Sequence, residues 1–329
     1  MIEARGLTKR YGDKVAVDDA TFTIRPGLVT GFLGPNGSGK STTMRMIVGL
    51  DHPTAGEVTV NGRRYAEHPA PLREVGVLLD AKAVHTGRSA FNHLRAMAAT
   101  HGIGRRRVQE VIEMTGLDSV ARKRVGGFSL GMGQRLGIAA AMLGDPHTLI
   151  LDEPVNGLDP EGVKWVRTMA RYLAGEGRTV FISSHLMSEM ALTADELLII
   201  GRGRIIASAS VEDIVARAQE ARVYVRSPQA TELAELVARH GGTATALQPG
   251  ELEVLGLDSD RVGDLAAEAG VRLHELTPQR ASLEDADLSL TSEAVEYRSD
   301  HDHAGERTDD PADDRGADHR RLDRTGEEA

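Results

Sequence analysis

The 329-residue chain contains no cysteine. That absence excludes a disulfide scaffold, a Cys-ligated zinc site, an iron–sulfur cluster and a cysteine nucleophile. Apolar runs are short, such as Leu197–Ile200, and none approaches the ~20 residues that cross a bilayer. The start, Met1-Ile2-Glu3-Ala4-Arg5, has no apolar h-region, so no secretory signal is expected. These features predict a cytoplasmic protein, or one held at a membrane by a partner. Basic excess is missing too: 49 Asp and Glu outweigh 39 Lys and Arg, for a net charge of −10. This argues against a surface built to coat nucleic-acid phosphates. Lysine itself is scarce, 6 of the 39 basic residues, and the Arg, Ala, Gly and Asp usage points to a G+C-rich genome. No repeat indicates a solenoid or propeller.

Hydrophobic residues make up 40% of the chain, enough for a large domain plus a smaller one. Over residues 1–210, short β-like runs alternate with helix-like runs. Val29–Leu33, Leu149–Leu151, Thr179–Ser183 and Glu196–Ile200 are strand candidates. Met44, Ile47 and Val48 recur on one helix face. Such alternation predicts a mainly parallel sheet covered by helices. Residues 216–290 follow another order. Strands are predicted at Arg222–Arg226, Thr243–Leu247, Leu252–Leu255 and Arg272–Leu276, and helices at Gln229–Arg239 and Arg261–Ala269. That is β-α-β-β-α-β, the split-βαβ pattern of ferredoxin-like folds. The stretch Glu296–Ala329 holds 12 acidic and 6 basic residues. It cannot bury enough surface to offset its ordering entropy, so it reads as a disordered acidic tail. His301 and His303 fall within it and read as solvated rather than metal-binding.

Gly34-Pro35-Asn36-Gly37-Ser38-Gly39-Lys40-Ser41 matches G-x-x-x-x-G-K-[ST], between a predicted strand and a predicted helix. Its glycines let the backbone curl so that successive N–H groups face phosphate oxygens. Lys40 brings a positive charge to the β- and γ-phosphates, Ser41 offers a hydroxyl to Mg²⁺, and Thr42 follows in the same turn. The helix starting near Lys40 aims its N-terminal dipole at the same phosphates. Further on, Thr148-Leu149-Ile150-Leu151-Asp152-Glu153 is an apolar strand that ends in two acids. Paired carboxylates there are costly to desolvate and serve no packing purpose. Beside a phosphate loop, Asp152 can hold the Mg²⁺ shell, and Glu153 can orient or deprotonate the attacking water.

Phe128-Ser129-Leu130-Gly131-Met132-Gly133-Gln134-Arg135 resembles the signature motif of the ATP-binding-cassette (ABC) ATPases, usually Leu-Ser-Gly-Gly-Gln. Asn156-Gly157-Leu158-Asp159 looks like the D-loop of that family. His185 lies where its switch histidine lies, and Tyr11 where an aromatic residue stacks on adenine. The resemblance covers residues 2 to about 210, in the family's motif order. It implies a P-loop α/β domain with antiparallel β and helical subdomains. It also implies a homodimer that closes head-to-tail around two ATPs. Each ATP would contact Gly34, Asn36, Gly37, Ser38, Gly39, Lys40, Ser41 and Thr42 of one copy and Ser129 and Gly131 of the other. Glu153 would polarise the water, His185 would hold it in line with the γ-phosphate, and Asp159 would link the two sites. Closure and reopening would drive a separate membrane permease, placing the subunit on the inner face of the membrane.

The sequence departs from the family pattern in places. Where a Gln is usual, forty residues after Lys40, stands Asp80. It either serves the metal or the attacking water, adding negative charge there, or shapes a loop that meets the permease. The following stretch Val84–Ala90 would face the permease or lie solvated. Leu130 and Met132 replace a Gly and the Gln of the signature. The resulting Ser-x-Gly-Met-x-Gln-Arg resembles the branch serving ABC-2-type exporters, including daunorubicin/doxorubicin-resistance subunits of actinomycetes. Ser282–Thr291 is similar to a C-terminal element of that branch, with Asp287 near its usual Phe. The C-terminal module reads equally as regulatory, dimer-stabilising or merely packed.

The leading expectation is therefore an ATPase subunit of an ABC-2-type exporter, using ATP and Mg²⁺ and no nucleic acid. An importer's subunit is opposed by the missing Gln and the Met-type signature. A ribosome-acting ABC protein would carry two cassettes, and a DNA-repair one a long heptad array. A nucleotide-binding regulator without turnover is opposed by Lys40, Asp152, Glu153 and His185 together.

Overall fold

A computed structural model describes residues 1–80, 84–218 and 222–279. The proposed element at Ser282–Thr291 and the tail with His301 and His303 lie outside the described residues. The chain runs β1 (Ile2–Tyr11), β2 (Lys14–Ile24), β3 (Val29–Leu33), α1 (Lys40–Ile47), β4 (Ala55–Val60), α2 (Pro71–Glu74) and β5 (Val75–Leu78). Then come α3 (Ala90–Thr100), α4 (Arg105–Met114), α5 (Leu130–Ala141), β6 (Thr148–Leu151), α6 (Pro160–Gly175) and β7 (Thr179–Ser184). After them follow α7 (Met187–Ala191), β8 (Glu196–Gly201), β9 (Arg204–Ser210) and α8 (Val211–Ala218).

Six of these strands form one sheet in the order β5-β6-β7-β3-β8-β9. All its pairs are parallel except β8 with β9. Every residue of β3, β6 and β7 is buried, as expected of strands covered on both faces. Alternate side chains serve two cores. Leu33, Leu149, Leu151, Ile182 and Ile199 join the core with α3, α4, α5 and α6. Phe32, Ile150, Phe181 and Leu198 join the core beneath a three-stranded antiparallel sheet, β2-β1-β4. There Phe32 and Phe181 stack at 5.1 Å between ring centres, with Phe22 reaching both from β2.

This winding puts the ends of the parallel strands along one edge, where open α/β sheets bind ligands. Gly34 follows β3, Asp80 lies two residues past β5, Asp152 and Glu153 follow β6, and His185 follows β7.

The last described stretch holds β10 (Arg222–Arg226), α9 (Ala230–Arg239), β11 (Thr243–Gln248), β12 (Glu251–Leu255), α10 (Ser259–Ala269) and β13 (Glu275–Gln279). Its sheet order, β11-β12-β10-β13, is antiparallel throughout. This is the split-βαβ arrangement, around a core of Val223, Val225, Leu233, Val237, Val254 and Val262. One strand is displaced from the sequence expectation: Glu275–Gln279 pairs with β10, rather than Arg272–Leu276. Val271 and Arg272 are occupied otherwise. Gly270 closes α10 with φ 68°, and the Val271 N–H donates to Ala266 O. The Arg272 N–H donates to Gln229 Oε1, and Arg272 O accepts from Ser227 Oγ. Contact with β10 resumes at His274, whose N–H donates to Arg226 O at 2.7 Å, and the paired register starts with Glu275 opposite Arg226.

Candidate functional site: a nucleotide cleft at the sheet edge

The loop between β3 and α1 is shaped by what its glycines permit. A Cβ on Gly34 would collide with the Ile200 carbonyl. Gly39 has φ 110°, and a Cβ there would sit 2.6 Å from Ala16 O. Side chains at either place would break the curl. A backbone relay holds the loop from outside. Asp18 N–H donates to Gly203 O at 2.8 Å, and Gly203 N–H donates to Ser38 O at 2.9 Å. Ser38 Oγ is buried without a hydrogen-bond partner. A Gly-shaped cradle at a helix N-terminus with an unpaired buried hydroxyl fits a polyphosphate.

Lys40 is 6% exposed. Its ammonium donates to Gly34 O at 2.6 Å and Pro35 O at 3.3 Å, and lies 3.7 Å from Glu153 Oε1. Glu153 is the hub of the far wall. Its Oε2 accepts from His185 Nδ1 at 2.7 Å and from Asn156 Nδ2 at 3.0 Å. An ionised carboxylate only accepts, so Nδ1 presents an N–H to Glu153. The Glu153 backbone is fixed as well: its N–H donates to Ser183 Oγ and its C=O accepts from Gln134 Nε2, both at 2.9 Å. Ser183 Oγ in turn donates to Asp152 Oδ1, orienting that carboxylate. Sequence reasoning assigned no role to Ser183 or to Gln134. Their buried polar side chains, one at a strand end and one in the signature helix, were the available signal.

A cleft of about 430 Å³ collects these groups. It is lined by Tyr11, Asn36, Gly37, Gly39, Lys40, Ser41, Thr42, Glu153 and His185 from the expected set, and by Lys14, Ala16 and Asn156 besides. Tyr11 ends β1 and is 48% exposed. Its hydroxyl donates to Asp51 Oδ2 at 2.8 Å, and Asp51 accepts from Arg45 Nε at 2.8 Å. The Arg45 hydrogen bond holds the Asp51 carboxyl below its ordinary range, and the Asp51 hydrogen bond raises the Tyr11 hydroxyl. Lys9 Nζ sits 5.0 Å from the ring centre, the range of a cation–π contact.

Other expected residues lie apart from this lining. Ser129 caps α5, accepting from Met132 N–H. Gly131 packs against the D-loop, where a Cβ would come 2.9 Å from Gly157 O. Asp159 caps α6 by accepting from Gly162 N–H at 2.8 Å. Asp80 is exposed just past β5. For Mg²⁺, Ser41 is exposed at the first turn of α1 and Asp152 is an oriented carboxylate. Among the described residues no group of three or more His, Cys, Asp or Glu side chains could hold a metal alone. The hydroxyl of Ser41 and the oriented Asp152 carboxylate are hard oxygen donors, the kind that hold Mg²⁺ together with substrate phosphates.

Residues 17–156 match the family described as ABC transporter. An uncharacterized ABC transporter ATP-binding protein of Bacillus subtilis, YhcH, is 34% identical over 299 residues, 90% of this chain and 97% of that one. The chain belongs to the ATP-binding proteins of ABC transporters. The bacitracin transport ATP-binding protein BcrA of Enterococcus faecalis is 32% identical over 291 residues, covering 87% of this chain and 94% of its own. A solved ATP-binding subunit of an ABC transporter superposes with a TM-score of 0.58 at 28% identity, over 66% of this chain and 92% of that one. Residues 221–284 match a domain of unknown function. This ABC protein is thus an ATPase that works with a membrane permease. Among its described residues no helix is long and apolar enough to cross a membrane.

Proposed function

We propose that this chain is the ATP-hydrolysing subunit of an ABC-2-type exporter that moves a small molecule, a drug or antibiotic among the candidates, through a separate permease. The observation that carries the catalytic part is the meeting of Lys40, Glu153 and His185 in one cleft with Tyr11. Similarity to a bacitracin transport protein over most of both chains supports the transport part. The cassette spans residues 1–210, the small α+β unit 216–290 and the acidic tail 296–329. The subunit sits on the inner face of the membrane, held there by the permease.

The chemistry follows from the residues. Tyr11 offers its ring to adenine, and the 34–42 loop takes the phosphates, with Lys40 opposing their charge. Glu153 sits where a carboxylate can accept a proton from water. His185 fixes that carboxylate through Nδ1 and keeps its other ring nitrogen for the γ-phosphate and the water. Ser41 and Asp152, with Asp80 as a further oxygen donor, would hold Mg²⁺, which neutralises phosphate charge when bound. Ser129, Gly131 and Asp159 serve the second copy's nucleotide in a head-to-tail dimer.

The deciding experiment is affinity purification of the tagged protein from solubilised membranes of its host. Wild type is compared with Glu153→Gln under Mg-ATP. A co-purifying hydrophobic protein with several spanning segments is the expected result. Ribosomes or DNA-associated proteins without a permease would overturn the transport role and leave the ATPase chemistry standing.

A further inference from the structure

Glu153 occupies an unusual backbone state. Its φ is 48°, the left-handed region, where a Cβ crowds the following carbonyl oxygen. Asp19, Asn61, Asp145 and Arg202 share that region, but the first three have short polar side chains that tolerate it, and Arg202 lies in the two-residue turn between β8 and β9, where such a φ is usual. A glutamate there needs its surroundings to hold it. Two side chains do so from opposite ends of the residue. Ser183 Oγ takes the N–H, and Gln134 Nε2 takes the C=O.

Gln134 bears a cost for this. It is 5% exposed, and its Oε1 is buried with no partner. A side chain present only to fill space would be apolar, because an unpaired buried amide oxygen is unfavourable. The amide is spent on one bond, and that bond ends on the residue assigned as general base. Gln134 also belongs to α5, whose N-cap is Ser129. The helix that presents Ser129 and Gly131 to the second copy's nucleotide therefore grips the base of its own site.

We propose that Gln134 is a positioning residue for hydrolysis: its amide holds the Glu153 backbone in the left-handed state that aims the carboxylate into the cleft. This inference rests on Glu153 being the base. It predicts a loss in the chemical step, not in nucleotide binding, because Gln134 is outside the lining of the cleft and its amide donates to the Glu153 backbone. Displacing a catalytic group by ~1 Å can cost ~10²-fold. A displacement of part of that size gives an expected loss of about 10- to 100-fold in kcat.

The test uses the full chain and Gln134→Met, which keeps the volume and removes the donor. Gln134→Glu serves as a second variant, since an ionised carboxylate would face the Glu153 carbonyl and accept rather than donate. ATP turnover, KM and thermal melting are measured for each, alone and combined with Glu153→Gln. The expected result is a lowered kcat with KM within about twofold of wild type and an intact melting transition. Adding Gln134→Met to Glu153→Gln should leave the residual rate unchanged, since the residue it positions is already disabled. Near-normal kcat in Gln134→Met and Gln134→Glu would overturn the proposal. So would a double variant slowed by the same factor as the single one, which marks a general structural defect. Near-normal turnover in Glu153→Gln alone would instead remove the assignment of the base, and this inference with it.

Discussion

Lys40 has two claimants for its charge. Its ammonium lies 3.7 Å from Glu153 Oε1, with the lysine side chain 6% and the glutamate side chain 20% exposed. ATP phosphates must take over that ammonium while Glu153 remains nearby. At an effective dielectric of ~20, two unit charges at this distance attract by about 4–5 kcal/mol. Desolvation of the pair offsets much of that, leaving about 1–2 kcal/mol as the obstacle to phosphate entry, ~5- to 30-fold in affinity. Glu153→Gln removes the competing charge and keeps a side chain of the same shape. This variant should therefore bind nucleotide more tightly while losing ~10²–10⁴-fold in turnover. ADP is the cleaner ligand for the affinity half, because it has no γ-phosphate to hydrolyse. Isothermal titration of wild type and variant with Mg-ADP at one salt concentration reads the difference directly. Equal or weaker ADP binding by Glu153→Gln would show that the Lys40–Glu153 pair does not oppose the phosphates.

Gly39→Ala should fail to bind ATP, because φ 110° and Ala16 O at 2.6 Å leave no place for a methyl group. The strain alone is ~1–3 kcal/mol, and equilibrium dialysis with labelled ATP checks it. Tyr11→Ala should raise KM for ATP by about 5- to 100-fold with kcat little changed, as base–aromatic stacking contributes ~1–3 kcal/mol. Asp51→Asn should cost about 1 kcal/mol or less at neutral pH, the scale of a partly exposed ion pair. Asp51 has a folded pKa below its unfolded value, with the Arg45 hydrogen bond as the first cause. Its contribution is thus full above the ordinary carboxylate range and lost as pH falls through the lower, folded value. Melting curves of Asp51→Asn and wild type should converge as the solution is acidified through that window. A gap that stayed constant into strong acid would show that the Arg45 pair is not its source.

Much of the cassette was legible because its signals are local. The apolar runs at Val29–Leu33 and Thr148–Leu151, each ending in a chemical motif, appear as parallel strands that end at the cleft. The glycines at 34, 37 and 39 act through their own backbone, so the motif carries its own geometry. An antiparallel β subdomain was implied by the family resemblance alone; its strands β1, β2 and β4 were not read from the residues, since exposed residues interrupt each of them. The roles of Ser183 and Gln134 were hidden for a different reason. Each depends on where Glu153 falls in space, 30 and 19 residues away in sequence. The last strand was misplaced by three residues because helix closure at Gly270 and contacts to Ser227 and Gln229 consume Val271 and Arg272. Apolar alternation does not report such claims on backbone groups.

The relay from Asp18 through Gly203 to Ser38 bears on when the cleft can exist during synthesis. Strand β3 lies between β7 and β8, whose residues begin at Thr179 and Glu196. The phosphate loop also depends on Gly203 for its outer tether. A ribosome that has made the first 150 residues has released every residue of the loop but neither neighbour of the strand that carries it. Val29–Leu33, buried throughout in the finished protein, is then an apolar segment with open edges. Such non-local pairing folds slowly and leaves the growing chain exposed to aggregation. Nucleotide-binding competence should therefore arrive late, after Gly203 has emerged, and ATP can stabilise the cassette only from that point on.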